Sequence, residues 1–313
     1  MTQPDPKIEA MTEIRVTGRR DAMRRLLAVP AACLSPALVM ASPAIVTASQ
    51  NERGGGWTPL FNGTSFEGWE TFLGRPHRSS DVPGTRDAKG EYVAPIGVGR
   101  DPKGVFSIVK LDGGPAIRVT GEIYGALTTV REFADYHLRF DFKWGSRKWP
   151  QRGELPRDTG CCYHAVGPHG ASYGYWMQSC EFQIMEGECG DFYGLAGVTV
   201  DVDAVLRDPS NPKSDALYRL GAGPIRDRAR RVVKSANHEK PRGEWNTLDL
   251  YCARQQSIHV VNGRPVMKLS RIRQHSADND AALERGRIQL QSEGSEVYFR
   301  NLSIRPISAP PDL

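Results

Sequence analysis

The chain has 313 residues, including 32 glycines and 22 prolines, and a formal net charge of +5 at pH 7. The first 48 residues contribute six basic and four acidic side chains, so the remaining chain is near +3 with its charges scattered. A charge this mild and dispersed argues against nucleic acid as a partner. The glycine and proline content favours strands and turns in a domain of this length.

The N-terminus has the pattern of an export signal, predicted over residues 1–48. Two Arg-Arg pairs, at 19–20 and 24–25, precede an uncharged run from Leu26 to Ala48 that ends in small residues. A membrane anchor is one alternative, although three prolines and weak hydrophobicity oppose a spanning helix. A lipid anchor at Cys33 is another. The paired arginines favour the twin-arginine route, so a periplasmic or secreted chain is expected, without stable membrane insertion after signal cleavage.

Five cysteines follow the predicted signal, in a compartment where disulfides could form. Because five is odd, at least one thiol is free or pairs between chains. One candidate disulfide joins Cys162 to Cys180 across neighbouring predicted strands, and a second joins Cys180 to Cys189. Five buried free thiols are the remaining interpretation.

The chain after the signal is predicted to be almost entirely sheet. A Gly-rich linker (49–56) precedes one domain (57–306) and a short tail (307–313). Residues 74–104 are predicted as a long loop, and residues 201–243 as a long crossing loop with one short helix. Strands are predicted over 116–120, 126–130, 136–144, 159–166, 179–188, 245–253, 258–261, 265–269, 287–291 and 297–305.

Residues 136–144 alternate strictly between apolar and polar side chains, which indicates a half-buried strand. With about eleven or twelve such short strands and little helix, the pattern predicts two antiparallel sheets packed face to face. The expected fold is therefore an all-β jelly-roll sandwich in which one sheet curves. The concave face of that sheet would form a groove.

The segment S-C-E-F-Q-I-M-E-G-E (179–188) is the richest in chemistry. As a strand, it places Glu181 and Gln183 on one open face, about 7 Å apart, and turns its apolar residues to the core. Glu186 has the wrong parity to join them unless a bulge shifts the register. A carboxylate beside an amide can hydrogen-bond sugar hydroxyls and move protons.

Seven segments in this order resemble the 3-keto-disaccharide hydrolase family over residues 57–306. They are L-F-N-G-T-S-F-E-G-W (60–69), F-A-D-Y-H-L-R-F-D-F-K-W (133–144), D-T-G-C-C-Y-H (158–164), S-C-E-F-Q-I-M-E (179–186), G-E-W-N-T-L-D-L (243–250), N-G-R-P-V (262–266) and G-R-I-Q-L-Q-S-E-G-S-E-V-Y-F-R-N-L-S-I (286–304). Two residues depart from the family pattern: Asp158 replaces the usual Asn, and His164 the usual Arg.

The resemblance implies a concanavalin A-like lectin/glucanase sandwich that cleaves 3-keto-disaccharides or 3-keto-glucosides. A base removes the C2 proton, which the C3 ketone makes acidic, and the C1 substituent then leaves, with or without rehydration. The resemblance implies that Glu181 is the base or a metal ligand. His164 is a candidate electrophile, acid or ligand. A sugar 3-oxidoreductase that makes the ketone is an expected functional partner.

Some family members use a divalent metal, and His164, His169 and Glu181 would form a plausible set of ligands for one. The acidic residues Glu186, Glu188 and Asp191 are either further ligands or acids, or a solvated loop. The residues predicted to bind substrate are Gln183, Glu186, Trp176 and Tyr173, and other aromatic candidates are Tyr175, Trp149 and Tyr124.

Two other functions remain open from the sequence. E-F-Q-I-M-E (181–186) resembles E-I-D-I-M-E, the catalytic strand of laminarinase-type retaining glucanases. That mechanism requires a bulge that brings Glu186 within about 5–5.5 Å of Glu181, and Gln183 replaces the Asp of that strand. A non-catalytic carbohydrate-binding module is the second alternative, in which the aromatic residues would line the groove.

Overall fold

A computed structural model describes residues 56–276 and 279–312, which form twenty-one strands and no helix. The predicted signal and nearly all of the predicted linker lie outside these residues. In the part of the chain described, no helix has the length and hydrophobicity needed to cross a membrane.

Eight strands form the first sheet. They are β1 (Thr58–Pro59), β4 (Phe106–Leu111), β5 (Gly114–Val119), β8 (Tyr136–Lys148), β16 (Asn246–Ala253), β17 (Gln256–Val261), β18 (Arg264–Ser276) and β21 (Ser295–Pro306). The order across this sheet is β4–β5–β21–β8–β16–β17–β18, all antiparallel, and β1 pairs with the far end of β21.

Ten strands form the second sheet. They are β2 (Trp69–Leu73), β3 (Gly97–Val98), β6 (Gly125–Thr129), β9 (Gly160–Val166), β10 (Gln178–Gln183), β11 (Phe192–Leu195), β12 (Val198–Leu206), β13 (Ala216–Tyr218), β15 (Val232–Val233) and β20 (Arg285–Ser292). The order is β3–β2–β6–β20–β9–β10–β11–β15–β13–β12, with β13 and β15 parallel.

Three short strands complete the structure: β7 (Phe133–Ala134), β14 (Pro224–Arg228) and β19 (Asn279–Ala282). They pair with β20, β12 and β18 respectively. The first half of β12 also pairs with β18, so hydrogen bonds join the two sheets at one edge.

The core lies between the two sheets, which confirms the predicted β-sandwich. The apolar residues of the alternating strand β8, including Phe140 and Phe142, are buried in the same cluster as Phe182 and Leu290 of the second sheet. Because strand side chains alternate, the opposite faces of both sheets are left for polar groups. The second sheet places its functional residues on that opposite face.

The prediction for residues 201–243 was wrong. This segment holds most of β12 and all of β13, β14 and β15, and no helix is found there. Strands β13, β14 and β15 are too short to show a period of two, whereas the V-T-V-D-V-D alternation of β12 begins before residue 201 and was missed. Pro224 is the first residue of β14, a strand position that tolerates proline.

All five cysteines of the described residues are buried free thiols, so neither candidate disulfide is present. Cys162 lies opposite Glu181, whereas Cys180 lies opposite Tyr163. Strand alternation therefore points Cys162 and Cys180 to opposite faces of the sheet, where their sulfurs cannot meet. Burial raises the pKa of the Cys180 thiol, so it stays protonated at neutral pH.

Candidate active site

A polar row crosses the second sheet on the face that points away from the core. Its members are cross-strand neighbours on six successive strands: Glu70, Thr128, Gln289, Cys162, Glu181 and Tyr193. Directly opposed residues project from the same face of a sheet, so these six side chains form one line, called here the Glu181 row. The amide of Gln289 donates to Thr128 Oγ1 over 2.9 Å, which fixes the centre of the row.

Glu181 and Gln183 share this face as predicted, but both are buried instead of lying on an open surface. Phe182 and Ile184 point the other way into the core. Gln183 accepts a hydrogen bond on Oε1 from the Ile184 backbone N–H at 3.0 Å. The strand ends at Gln183, five residues earlier than predicted.

Gly160 opens a space beside Glu181 on the neighbouring strand. An ideal Cβ at Gly160 would lie 2.8 Å from Glu181 Oε1 and 2.6 Å from Gln291 Oε1. The amide nitrogen of Gln291 donates to Cys162 Sγ at 3.2 Å, and its buried oxygen has no hydrogen-bond partner among the described residues. Gly160 therefore lets the carboxylate and the amide oxygen approach one another above the sheet.

Aromatic rings cover the Glu181 row. Trp176 is fully buried and packs with Tyr124 and Cys162, and Tyr175 and Tyr193 lie against the same cluster. The Tyr173 and Trp176 ring centroids are 6.0 Å apart, and Tyr173 is 43% exposed. Tyr173 and Trp176, both predicted to bind substrate, thus lie near the Glu181 row, and Tyr173 is the one that reaches solvent. Trp149 instead donates its indole N–H to Thr120.

Several polar residues at the Gly160 end of the face were not predicted as site residues. The backbone of Asp158 pairs with that of Glu293, just beyond the end of β20, and Arg152 lies 3.2 Å from the Asp158 carboxylate. The alternation of Gln289, Gln291 and Glu293 with apolar or small neighbours was visible in the sequence. It would have identified these side chains as members of the Glu181 face.

His164, a predicted catalytic residue and ligand, lies in the core and not on the Glu181 face. Its ring contacts Tyr136 and Tyr163, both members of the core cluster. His164 has a positive φ of 50°, and the pairing of β9 with both neighbours shifts register at this point. This bulge reverses the alternation and turns the imidazole inward. Neither ring nitrogen has a hydrogen-bond partner among the described residues.

Burial lowers the pKa of His164 from 6.5 to about 3. Between pH 6.5 and about 3, His164 is therefore neutral in the folded chain and protonated in the unfolded chain. Because of this difference, the free energy of unfolding decreases as the pH falls through that range. We expect His164→Leu to reduce the slope of unfolding free energy against pH in that window by about 1.4 kcal/mol per pH unit. At pH 7 its activity should match wild type.

Urea unfolding at pH 4, 5, 6 and 7 measures this slope. Val166→Ala, on the same strand, is the matched control and should keep the wild-type slope, because neither side chain takes up a proton. An unchanged slope in His164→Leu would show that the imidazole is not held neutral by burial.

His169 lies on the Glu181 face, at the far end of the row. Its Nε2 is 2.9 Å from Glu70 Oε1, its ring stacks on Phe72 at 5.0 Å, and Arg287 also pairs with Glu70. The predicted metal ligands His164, His169 and Glu181 are therefore not assembled. No group of three His, Cys, Asp or Glu suited to a metal occurs in the two described segments. These residues do not fit the predicted metal.

The three acidic residues beyond β10 form ion pairs instead of joining Glu181. Glu186 pairs with Arg157 at 3.1 Å, and both Glu188 and Asp191 pair with Arg231. Burial raises the pKa of Glu188 to about 6. The register shift in β10 falls between Gln178 and Cys180, so no bulge brings Glu186 onto the Glu181 face as a glucanase would need.

A β-sandwich with a carboxylate, several amides and aromatic rings on one sheet face has the architecture of a carbohydrate-active protein of the lectin/glucanase class. The chain belongs to the family of 3-keto-alpha-glucoside-1,2-lyase-like domains, whose model matches residues 56–305. This agrees with the family indicated by the seven sequence segments. No curated protein matches the chain.

Solved structures with a similar fold include two candidate glycosyl hydrolases from Parabacteroides distasonis ATCC 8503. One is 17% identical, with 80% of this chain and 100% of that chain covered and a TM-score of 0.43. The other is 19% identical, with 80% and 94% covered and a TM-score of 0.43. The carbohydrate-binding module CBM66 from Bacillus subtilis is 7% identical, with 64% and 91% covered and a TM-score of 0.37.

Proposed function

We propose that this protein cleaves 3-keto-glycosides by removing the C2 proton and expelling the C1 substituent. The observation that carries this proposal is the position of Glu181, a carboxylate at the centre of a polar sheet face in a chain of the 3-keto-alpha-glucoside-1,2-lyase-like family. A carboxylate is a suitable base because the C3 ketone acidifies the C2 hydrogen.

Glu181 takes the C2 proton, and the electron pair of that bond forms an enolate on the C3 oxygen. The amides of Gln183 and Gln291 flank the carboxylate and are suited to hold ring hydroxyls and the C3 oxygen. When the ketone re-forms, the bond between C1 and the glycosidic oxygen breaks and a double bond forms between C1 and C2. Water can then add to this enone and give the hydrolysed sugar.

The proposal is tested by incubating the purified protein with a 3-keto-glucoside and with its unoxidised parent, each with and without a chelator. We expect release of the aglycone and an ultraviolet-absorbing enone from the ketone alone. Release from the unoxidised glycoside would instead support a glucanase. Loss of turnover with the chelator would show that a metal takes part.

A carbohydrate-binding module is the second candidate, and the burial of Glu181 beneath the aromatic cluster favours it. Such a module would bind sugar saturably without turnover, and Glu181→Gln would bind as wild type does. Calorimetry with the 3-keto-glucoside and its parent, run beside the turnover assay, separates the two functions.

We further propose, from the signal pattern of residues 1–48, that the protein is exported, and, from its need for a ketone, that an oxidoreductase supplies its 3-keto sugar. Cell fractionation tests the location. Replacing Arg19 and Arg20 together by Lys tests the twin-arginine route, since the doubly substituted precursor should remain inside the cell.

A further inference from the structure

Tyr193 is the residue directly opposite Glu181 on the neighbouring strand β11. Its neighbour Phe192 is buried in the core, so Tyr193 projects from the same face as Glu181. Directly opposed residues have their Cβ atoms about 4.5–5.5 Å apart. Glu181 is fully buried, whereas Tyr193 is partly exposed at the edge of the Trp176 cluster.

Elimination needs two groups that act on adjacent carbons, a base at C2 and an acid for the oxygen on C1. The side chain of Glu181 leans towards Gly160, on the opposite side from Tyr193. A sugar held against this face could therefore present its C2 hydrogen to the carboxylate and its C1 oxygen to the phenol. A phenol suits this role because its ordinary pKa of about 10 keeps it protonated at neutral pH.

Arg231 is next to Tyr193 across the strand pair, because Phe192 lies opposite Val232 on the antiparallel strand β15. Arg231 is held by Asp191 at 2.6 Å and by Glu188 at 2.8 Å, and Asp191 is in turn bound by Lys234. Burial alone would lower the pKa of Arg231, but the nearby Tyr193 oxygen and the carboxylates of Asp191 and Glu188 outweigh burial and raise it. Arg231 thus stays charged and can stabilise a phenolate at Tyr193 as it forms.

The four candidate acids considered from the sequence are placed elsewhere, and two of them, Glu188 and Asp191, are the partners of Arg231. His164 lies in the core against Tyr136, and Glu186 is bound to Arg157 beyond the end of β10. None of the four belongs to the Glu181 row.

We propose that Tyr193 is the catalytic acid that protonates the departing C1 oxygen, with Arg231 as the positioning residue that stabilises its phenolate. This rests on the proposed cleavage of 3-keto-glycosides. Glu181 gains the C2 proton, the C1–O bond breaks, and its oxygen gains the Tyr193 proton to become an alcohol. The proton on Glu181 then returns to the Tyr193 phenolate, so no external oxidant or reductant is needed.

The test compares Tyr193→Phe with wild type on methyl and 4-nitrophenyl 3-keto-glucosides. Methanol is a poor leaving group and needs an acid, whereas 4-nitrophenolate leaves without one. We expect methanol release to fall about 10²–10⁴-fold and nitrophenol release to be nearly unchanged. Exchange of the C2 hydrogen with deuterium from heavy water should continue at the wild-type rate.

Tyr251→Phe is the matched control, because Tyr251 stacks on His137 on the first sheet, away from the Glu181 row. It should behave as wild type with both substrates. Retained C2 exchange also shows that Tyr193→Phe is folded around an intact base. Equal losses with both leaving groups, or wild-type methanol release by Tyr193→Phe, would overturn the role of Tyr193.

The same experiment distinguishes failure of the wider proposal. If the wild-type protein neither exchanges the C2 hydrogen nor releases either aglycone, the proposed function fails and the role of Tyr193 fails with it. If the wild-type protein does both and Tyr193→Phe matches it, only the assignment of Tyr193 fails.

Discussion

Glu181→Gln should slow aglycone release from 3-keto-glycosides, with a fall in kcat of about 10²–10⁴-fold. Gln has nearly the same size and can still hydrogen-bond, but it cannot accept the C2 proton. The variant should also lose exchange of the C2 hydrogen with heavy water, because that exchange requires the base alone. Binding of the 3-keto-glycoside should survive, since Gln183 and the aromatic cluster remain.

Release kinetics, C2 exchange by NMR and calorimetric binding measure these three effects separately. Glu186→Gln is the matched control, because Glu186 lies in the same segment but pairs with Arg157. It should retain turnover and exchange. Persistent C2 exchange in Glu181→Gln would place the base on another residue and contradict the proposed function.

Gly160→Ala should reduce turnover by about 10²-fold while leaving the fold intact. The added methyl group would lie 2.8 Å from Glu181 Oε1 and 2.6 Å from Gln291 Oε1, closer than nonbonded atoms approach. Both contacts are the ends of side chains, so the carboxylate and amide should move while the backbone stays. The overpacking should cost about 1–3 kcal/mol of unfolding free energy.

Substitutions at two other glycines serve as comparisons for Gly160→Ala. Gly114→Ala meets no atom within 4 Å and should leave both activity and stability unchanged. Gly286→Ala would place its methyl group 2.4 Å from the His164 backbone, so it should destabilise the sheet itself. Thermal unfolding and kcat, measured for all three variants, distinguish displacement of the Glu181 side chain from loss of the fold. Full activity in Gly160→Ala would show that the space above Gly160 is not used.

Strand alternation explains why so much of the fold could be predicted. The period-two pattern of residues 136–144 gave β8 and its buried face, and Asn262-Gly263 gave the hairpin of β17 and β18. Residues 201–243 were misjudged because β13, β14 and β15 are short and because the alternation of β12 was missed. The ion pairs of Arg231 with Asp191 and Glu188 show why, because charges there are neutralised by contacts distant in sequence.

The site was predicted only in part, because register decides which residues share a face. Alternation predicted that Glu181 and Gln183 share a face, as they do in the structure, and the structure packs Trp176 against Cys162 of the same face. The bulge at His164 could not be foreseen, since one residue with positive φ reverses the direction of a side chain.

The sequence by itself determined the family, the all-β class and the central carboxylate, because short alternating strands and ordered motifs are local properties. Only the tertiary structure decided the partners of that carboxylate. Tyr193, Gly160 and Gln291 come from three different strands and meet Glu181 through pairing register and a missing Cβ. Register depends on contacts across the whole sheet, so no local pattern in the chain specifies it.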